Sequence, residues 1–320
     1  MLLEAPNTEF SAFRIPGLIA TEQGTLLGYY ECRRDPSDWA STDLKIIRSM
    51  DRGDTWETVT QLPGNGHTLH NPVMIVEGST IHLLYGRDYQ TLYHAESVDD
   101  GHSFTDAVPI LNAQEPTDRP FYVVAIGPGH GIAHKGRLLV PAWFARNEAD
   151  PKEHHPSWVR TLFSEDHGCM WQLGEILGED LLQNPSECAM AVTADEQVFL
   201  SIRNENPCRL RACAVSETGS GQWNHLRFHE NLPDPICMGS MQSAGNKLLH
   251  INCASQTDRR ELTVKISSDG FASFDAIRVD GPAGYSDLAV LGQEVCVLYE
   301  RDTFGTGELH FRRLSLNKLD

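Results

Sequence analysis

The sequence predicts an all-β chain folded as a six-bladed β-propeller, and three observations lead there. A string of the form S-x-D-x-G-x-T-W is complete in Ser49-Met50-Asp51-Arg52-Gly53-Asp54-Thr55-Trp56. Imperfect copies begin at Ser97, Ser164, Ser216 and Ser267, so by subtraction the serines lie 48, 67, 52 and 51 residues apart. Strand-like segments of alternating character, such as Leu44–Arg48 and Leu262–Ile266, run directly into the strings. A period near 50 residues suits one four-stranded blade per repeat.

Each copy can be justified in turn. The first is complete. The second, Ser97–Phe104, keeps serine, aspartate and glycine and ends in an aromatic. The third, Ser164–Trp171, has Met170 in place of threonine. The fourth, Ser216–Trp223, keeps only the outer serine and tryptophan, with Thr218 at the aspartate position. The fifth, Ser267–Phe274, has its glycine displaced by one. Within such a string, aspartate and the hydroxyls can bond backbone N–H groups across a hairpin turn and glycine takes a strained position. The closing aromatic packs between blades. Five strings, plus one blade closed by both chain ends, give six blades. The strings are structural and carry no chemistry.

The 320 residues are ample for one large core, and no stretch is rich enough in Pro, Ser or charge to act as a linker, so one domain over 1–320 is expected. A formal net charge of -18 argues against nucleic-acid or anionic-membrane partners, which need a basic footprint. No apolar run of ~20 residues is present to span a membrane. The opening Met1-Leu2-Leu3-Glu4-Ala5-Pro6 lacks the basic and apolar regions of a secretory signal. Eight cysteines without a C-x-x-C pair read as buried free thiols of a reducing compartment. A cytoplasmic location is therefore expected.

Phe13-Arg14-Ile15-Pro16, upstream of the first string, resembles the FRIP motif of sialidases, and the repeated string resembles their Asp-box, the bacterial neuraminidase repeat. The resemblance, closest to glycoside hydrolase family 33, extends from Arg14 to Glu300. It implies a sialidase-fold propeller and a triad of arginines for the carboxylate of a sialic acid. Guanidinium forks suit that task because they bind carboxylates bidentately and stay charged. Arg14 is the FRIP arginine. Arg203 ends the strand-like Val198–Ile202 and has Arg209 and Arg211 as rivals; Arg259 opens an R-x-x-L-T-V run and has Arg260 as a rival.

The same resemblance implies the chemical groups. Tyr285, in Gly284-Tyr285-Ser286-Asp287-Leu288, matches the family's Y-S-D-L string and its tyrosine nucleophile. A neutral phenol avoids repulsion by the substrate carboxylate but needs a base. Glu187 is the base expected from the family's E-C pattern, sixteen residues before Arg203, a separation that suits neighbouring antiparallel strands. Asp38 is the acid/base, with Asp35 and Asp43 as rivals. Arg33 corresponds to an arginine on the C4 side of the sugar, and Glu300 to the glutamate that orients the FRIP arginine. No metal or cofactor is expected: Lys152-Glu153-His154-His155-Pro156 lacks ligand spacing and reads as a solvated loop. Gly127-Pro128-Gly129-His130-Gly131 precedes no helix that could make a phosphate cradle and resembles a sialidase turn.

The expected activity is a retaining exo-α-sialidase acting on sialylated glycans or small sialosides. Two alternatives stand beside it: a hydrolase of deaminated nonulosonate or keto-deoxy-octulosonate glycosides, and a non-catalytic propeller that binds acidic glycans.

Overall fold

The computed structural model describes residues 1–301 and 306–316. Its strands form six sheets in chain order, antiparallel apart from one short parallel pairing in the second, with no α-helix among the described residues. Blade 1 comprises Ala12–Ala20, Leu26–Arg33, Thr42–Ser49 and Glu57–Leu62; blade 2 comprises Leu69–Glu77, Thr80–Arg87, Thr91–Ser97 and Val108–Asn112. Blade 3 is built on Val123–Ile126, Arg137–Ala145, Ser157–Ser164 and Gln172–Leu173. Blade 4 runs from Cys188–Val192 through Val198–Ile202 and Leu210–Ser216 to Asn224–Pro233. Blade 5 runs from Ser240–Ala244 through Lys247–Cys253 and Arg260–Ser267 to Asp275–Pro282. Blade 6 takes Ser286–Leu291, Glu294–Arg301 and Glu308–Ser315 from the C-terminal end and Leu2–Glu4 from the N-terminal end. That pairing closes the ring.

The core lies between blades rather than within any one of them, as expected when flat sheets bury both faces. Separate apolar clusters fill the seams between blades 1 and 2, 2 and 3, 3 and 4, 4 and 5, 5 and 6, and 6 and 1. The closing aromatics contribute where the sequence places them. Trp56 meets Phe311 of blade 6 edge-on at 5.2 Å, and Trp171 meets His94 of blade 2 at 5.6 Å.

The repeated strings close the turns between the third and fourth strands. In the first, Asp51 accepts from the Thr55 amide at 2.9 Å and the Thr55 hydroxyl at 2.6 Å, while Ser49 Oγ accepts from the Gly53 amide at 2.7 Å. These bonds hold the exposed Asp51 carboxyl down at about 2. In the fifth string the displaced glycine has a direct consequence. Phe271 occupies the turn position with φ 69° and donates its amide to Ser267 Oγ at 2.8 Å. Its ring is fully buried against Phe199 of blade 4. The degenerate fourth turn lacks the aspartate, and Glu175 substitutes from outside by accepting the Gln222 amide at 2.7 Å.

The long 67-residue interval also has a structural cause. Between the first two strands of blade 3 the glycine-rich segment inserts Gly129–His130, which pairs in parallel with Leu69–Glu77 of blade 2. His130 thereby reaches the axis, where its Nδ1 lies 2.8 Å from Asp287 of blade 6. Asp287 also accepts the Leu18 amide of blade 1 at 2.8 Å and the hydroxyl of Ser240 of blade 5. One fully buried carboxylate thus ties together the inner strands of several blades.

Candidate functional site

Strands and loops from all six blades surround a cavity of about 280 Å³ at one end of the axis. Arg14 enters it through a local distortion of blade 1. The ladder to the next strand shifts register between Arg14 and Gly17, and Ile15 adopts φ 55°. Left-handed backbone is costly for a β-branched residue, so the surroundings must enforce it. Glu300 does so by accepting the Ile15 amide at 2.9 Å and Arg14 Nε at 3.1 Å. Gly17 is required on the other side, because a Cβ there would lie 1.9 Å from the buried Tyr29 ring.

Arg33, Arg203 and Arg259 line the same cavity, so a chain of strongly negative net charge concentrates its guanidinium groups at one place. Arg203 donates to Glu187 and, at 2.8 Å, to the hydroxyl of Tyr285. That hydroxyl in turn bonds Glu187, so the three form a closed triangle. The guanidinium carbons of Arg14 and Arg259 sit 5.3 Å and 5.5 Å from the centre of the Tyr285 ring. Arg259 also donates to the Ile236 carbonyl at 3.2 Å. Arg14, Arg203 and Arg259 come from blades 1, 4 and 5, and Tyr285 directly precedes blade 6.

Electrostatics in this cluster are set first by burial. Burial, then the adjacent Glu187 carboxylate, push the Tyr285 phenol well above its ordinary value, and Arg203 and Arg259 pull partly the other way. The phenol is therefore protonated in the ligand-free state. Burial opposes the charge on Arg14, but Glu300 more than offsets it and raises the guanidinium.

Asp38 reaches the cavity from an exposed loop and accepts from Arg33 Nη1 at 2.7 Å. Burial works against its charge, yet Arg33 holds the carboxyl below the ordinary aspartate range. Arg33 is itself buried and forked, with Glu31 at 2.7 Å from its Nε. The rivals fall elsewhere. Asp43 is engaged by Arg34, Gln61 and the Gly64 amide, while Asp35 closes an exposed turn onto the Ser37 amide. Arg211 is fully buried, bonding Asp234, Ser201 and the Glu187 carbonyl, and Arg260 lies out on the surface beside Asp258. Arg209 is absent from the cavity wall.

Sequence reasoning missed part of the wall. His154, read as belonging to a solvated loop, lies in the cavity with its ring 5.1 Å from both Tyr89 and Trp143. Its Nε2 and the Trp143 Nε1 are buried without a hydrogen-bond partner. The neighbouring His155 bridges Glu153 and Glu205, and Glu205 also lines the cavity. Asn71, likewise in the wall, has φ 48° and donates its amide to Glu31 at 2.9 Å. No spacing in the sequence flags these residues.

Fold and site together define a six-bladed β-propeller that gathers four arginines in one axial cavity. The chain belongs to the BNR repeat-like domain family, which matches residues 64–295, and lies within the sialidase superfamily. A sialidase of Bacteroides fragilis is 26% identical across 92% of this chain, which spans 61% of that protein's length. An exo-alpha-sialidase of Arthroderma benhamiae is 27% identical across 88% of this chain and 74% of its own. Among solved structures, the Hadza microbial sialidase Hz136 superposes with a TM-score of 0.83 at 25% identity, covering 97% of this chain and 67% of its own.

Proposed function

We propose that the protein is a retaining exo-α-sialidase that releases a terminal sialic acid from glycans or small sialosides. The single observation that carries this reading is the convergence of Arg14, Arg203 and Arg259 around the Tyr285–Glu187 pair in one cavity. The names borne by its relatives point the same way. The three guanidinium groups hold the sugar carboxylate, whose charge would repel a carboxylate nucleophile; the neutral Tyr285 hydroxyl meets no such repulsion.

In the first step the Tyr285 oxygen bonds to the anomeric carbon as the glycosidic C–O bond breaks. The phenolic proton passes to Glu187, and Asp38 protonates the departing oxygen. In the second step Asp38 takes a proton from water, the water oxygen displaces Tyr285, and Glu187 returns the proton to the phenol. Two inversions give net retention. Since Tyr285 is protonated at rest, its proton moves with the attack rather than before it. The positive charge developing on the sugar favours this, lying beside the bound carboxylate and Glu187. Asp38 must be protonated in the productive complex, so substrate has to loosen its pairing with Arg33. The aromatic faces of Tyr89 and Trp143 suit the N-acyl group of a sialic acid better than a bare hydroxyl.

The test is covalent trapping. A 2,3-difluorinated sialic acid should leave one adduct on Tyr285, seen by peptide mass spectrometry. Tyr285→Phe should take up no adduct and lose turnover by at least about 1000-fold while keeping its thermal midpoint. Full turnover with retained stereochemistry in Tyr285→Phe defeats the mechanism. Wild-type protein that binds sialosides without turning them over makes it a lectin-like binder.

A further inference from the structure

At the far end of blade 2 from the axial cavity, three side chains converge that the proposed activity does not use. His82 stands opposite Glu96 in the ladder between Thr80–Arg87 and Thr91–Ser97. His94 is two residues before Glu96, so all three project from the same sheet face. His82 Nδ1 and His94 Nε2 are 3.0 Å apart, and Glu96 Oε1 is 3.5 Å from the first and 3.7 Å from the second. A tetrahedral zinc ion with bonds of ~2.0–2.1 Å spaces its ligand atoms about 3.3 Å apart. The point equidistant from these three atoms is about 2.0 Å from each, a zinc–ligand bond length.

The surroundings match as well. Both histidines are buried, and Glu96 is the partly open side. Glu77 Oε2 lies 3.4 Å from the other nitrogen of His82, the carboxylate–histidine arrangement that orients metal-binding imidazoles. Glu77 is held from blade 3 by His167 Nδ1 at 3.0 Å. The next residue, Gly168, faces the cluster: a Cβ there would lie 3.1 Å from His94 Nε2 and 3.3 Å from Glu96 Oε1. Any other residue would crowd the ligand atoms.

We propose that His82, His94 and Glu96 bind a divalent ion of the zinc class and so clamp two neighbouring strands of blade 2 at their outer end. Two imidazoles and one carboxylate favour zinc or its neighbours over calcium or magnesium, which take oxygen. The site stands independently of the sialidase reading. The residues span two strands, so no short motif announces them.

The experiment uses the full chain, stripped with a chelator and then titrated with zinc by calorimetry and with cobalt(II) by visible absorption. Expected are one equivalent of zinc, a raised thermal midpoint, and the intense bands of four-coordinate cobalt. Glu96→Gln, at a half-open position, should weaken zinc binding at least 10-fold, and Glu77→Gln by roughly 10–100-fold. His94→Gln should abolish the cobalt bands; if that variant fails to fold, the two glutamate variants decide. Failure of the wild type to take up one equivalent overturns the proposal and leaves a hydrogen-bonded histidine pair. Uptake unaffected by Glu96→Gln places the ion elsewhere and also overturns it.

Discussion

Replacing Glu300 by glutamine isolates what this one carboxylate contributes. Its Oε1 accepts from Arg14 Nε at 3.1 Å and from the Ile15 amide at 2.9 Å; its Oε2 faces Arg14 Nη2 at 3.4 Å and the Tyr285 amide at 3.3 Å. Glutamine keeps the volume, and its carbonyl can replace only one oxygen. The amide nitrogen then points at two further donors, and the Arg14 charge loses its counter-ion. Breaking a buried pair costs about 3–5 kcal/mol. Arg14 retains 18% side-chain exposure, so water can recover part of this and the low end applies, about 3 kcal/mol. Urea unfolding followed by tryptophan fluorescence reads that loss. Because Glu300 positions both Arg14 and the Tyr285 backbone, kcat/KM on a fluorogenic sialoside should fall roughly 10–100-fold, with kcat and KM both affected. A Glu300→Gln variant within about 0.5 kcal/mol of wild type, with unchanged kcat/KM, would refute the claim that this carboxylate organises the site.

Further expectations follow from the same geometry. Arg259→Lys keeps the charge but not the fork, and should weaken a carboxylate-bearing inhibitor by about 10-fold or more with the fold intact; equal affinity would remove Arg259 from the triad. Gly17→Ala forces the Tyr29 ring to move, although its hydroxyl is bonded to Gly129 O at 2.9 Å and the Met74 amide at 3.2 Å. Overpacking and these lost bonds should lower stability by at least about 2 kcal/mol, measured by urea midpoint. For His130, burial opposes the charged form, but Asp287 raises the imidazole above its ordinary value. Its stabilising contribution is then complete below the unfolded value, ~6.5, and is lost as pH rises through the folded value. The stability gap between wild type and His130→Gln should shrink from pH 6 to pH 9, and a constant gap would contradict the ionic pairing.

What the sequence determined by itself is whatever short segments encode. A turn such as Ser49–Trp56 is built by side chains bonding one another and the amides four residues on, so its signature survives in the string, and five strings announce the blades. Even the displaced glycine of the fifth string was visible, though not that Phe271 would turn left-handed and fill the seam beside Phe199. Arg14, Glu187 and Tyr285 could be named because family strings surround them. Only the tertiary structure decided which of them meet. Glu300 reaches Arg14 across 286 residues, and Tyr285 reaches Glu187 across 98. Arg203 and Arg211 look alike in sequence, yet one ends its strand at the cavity while the other is fully buried and fully bonded. His154 and the His82–His94–Glu96 cluster depend on how separate strands lie together, which no local pattern records. The difference is physical: turn hydrogen bonds are local, whereas a propeller's axial cavity is lined by strand ends that ring closure alone brings within reach.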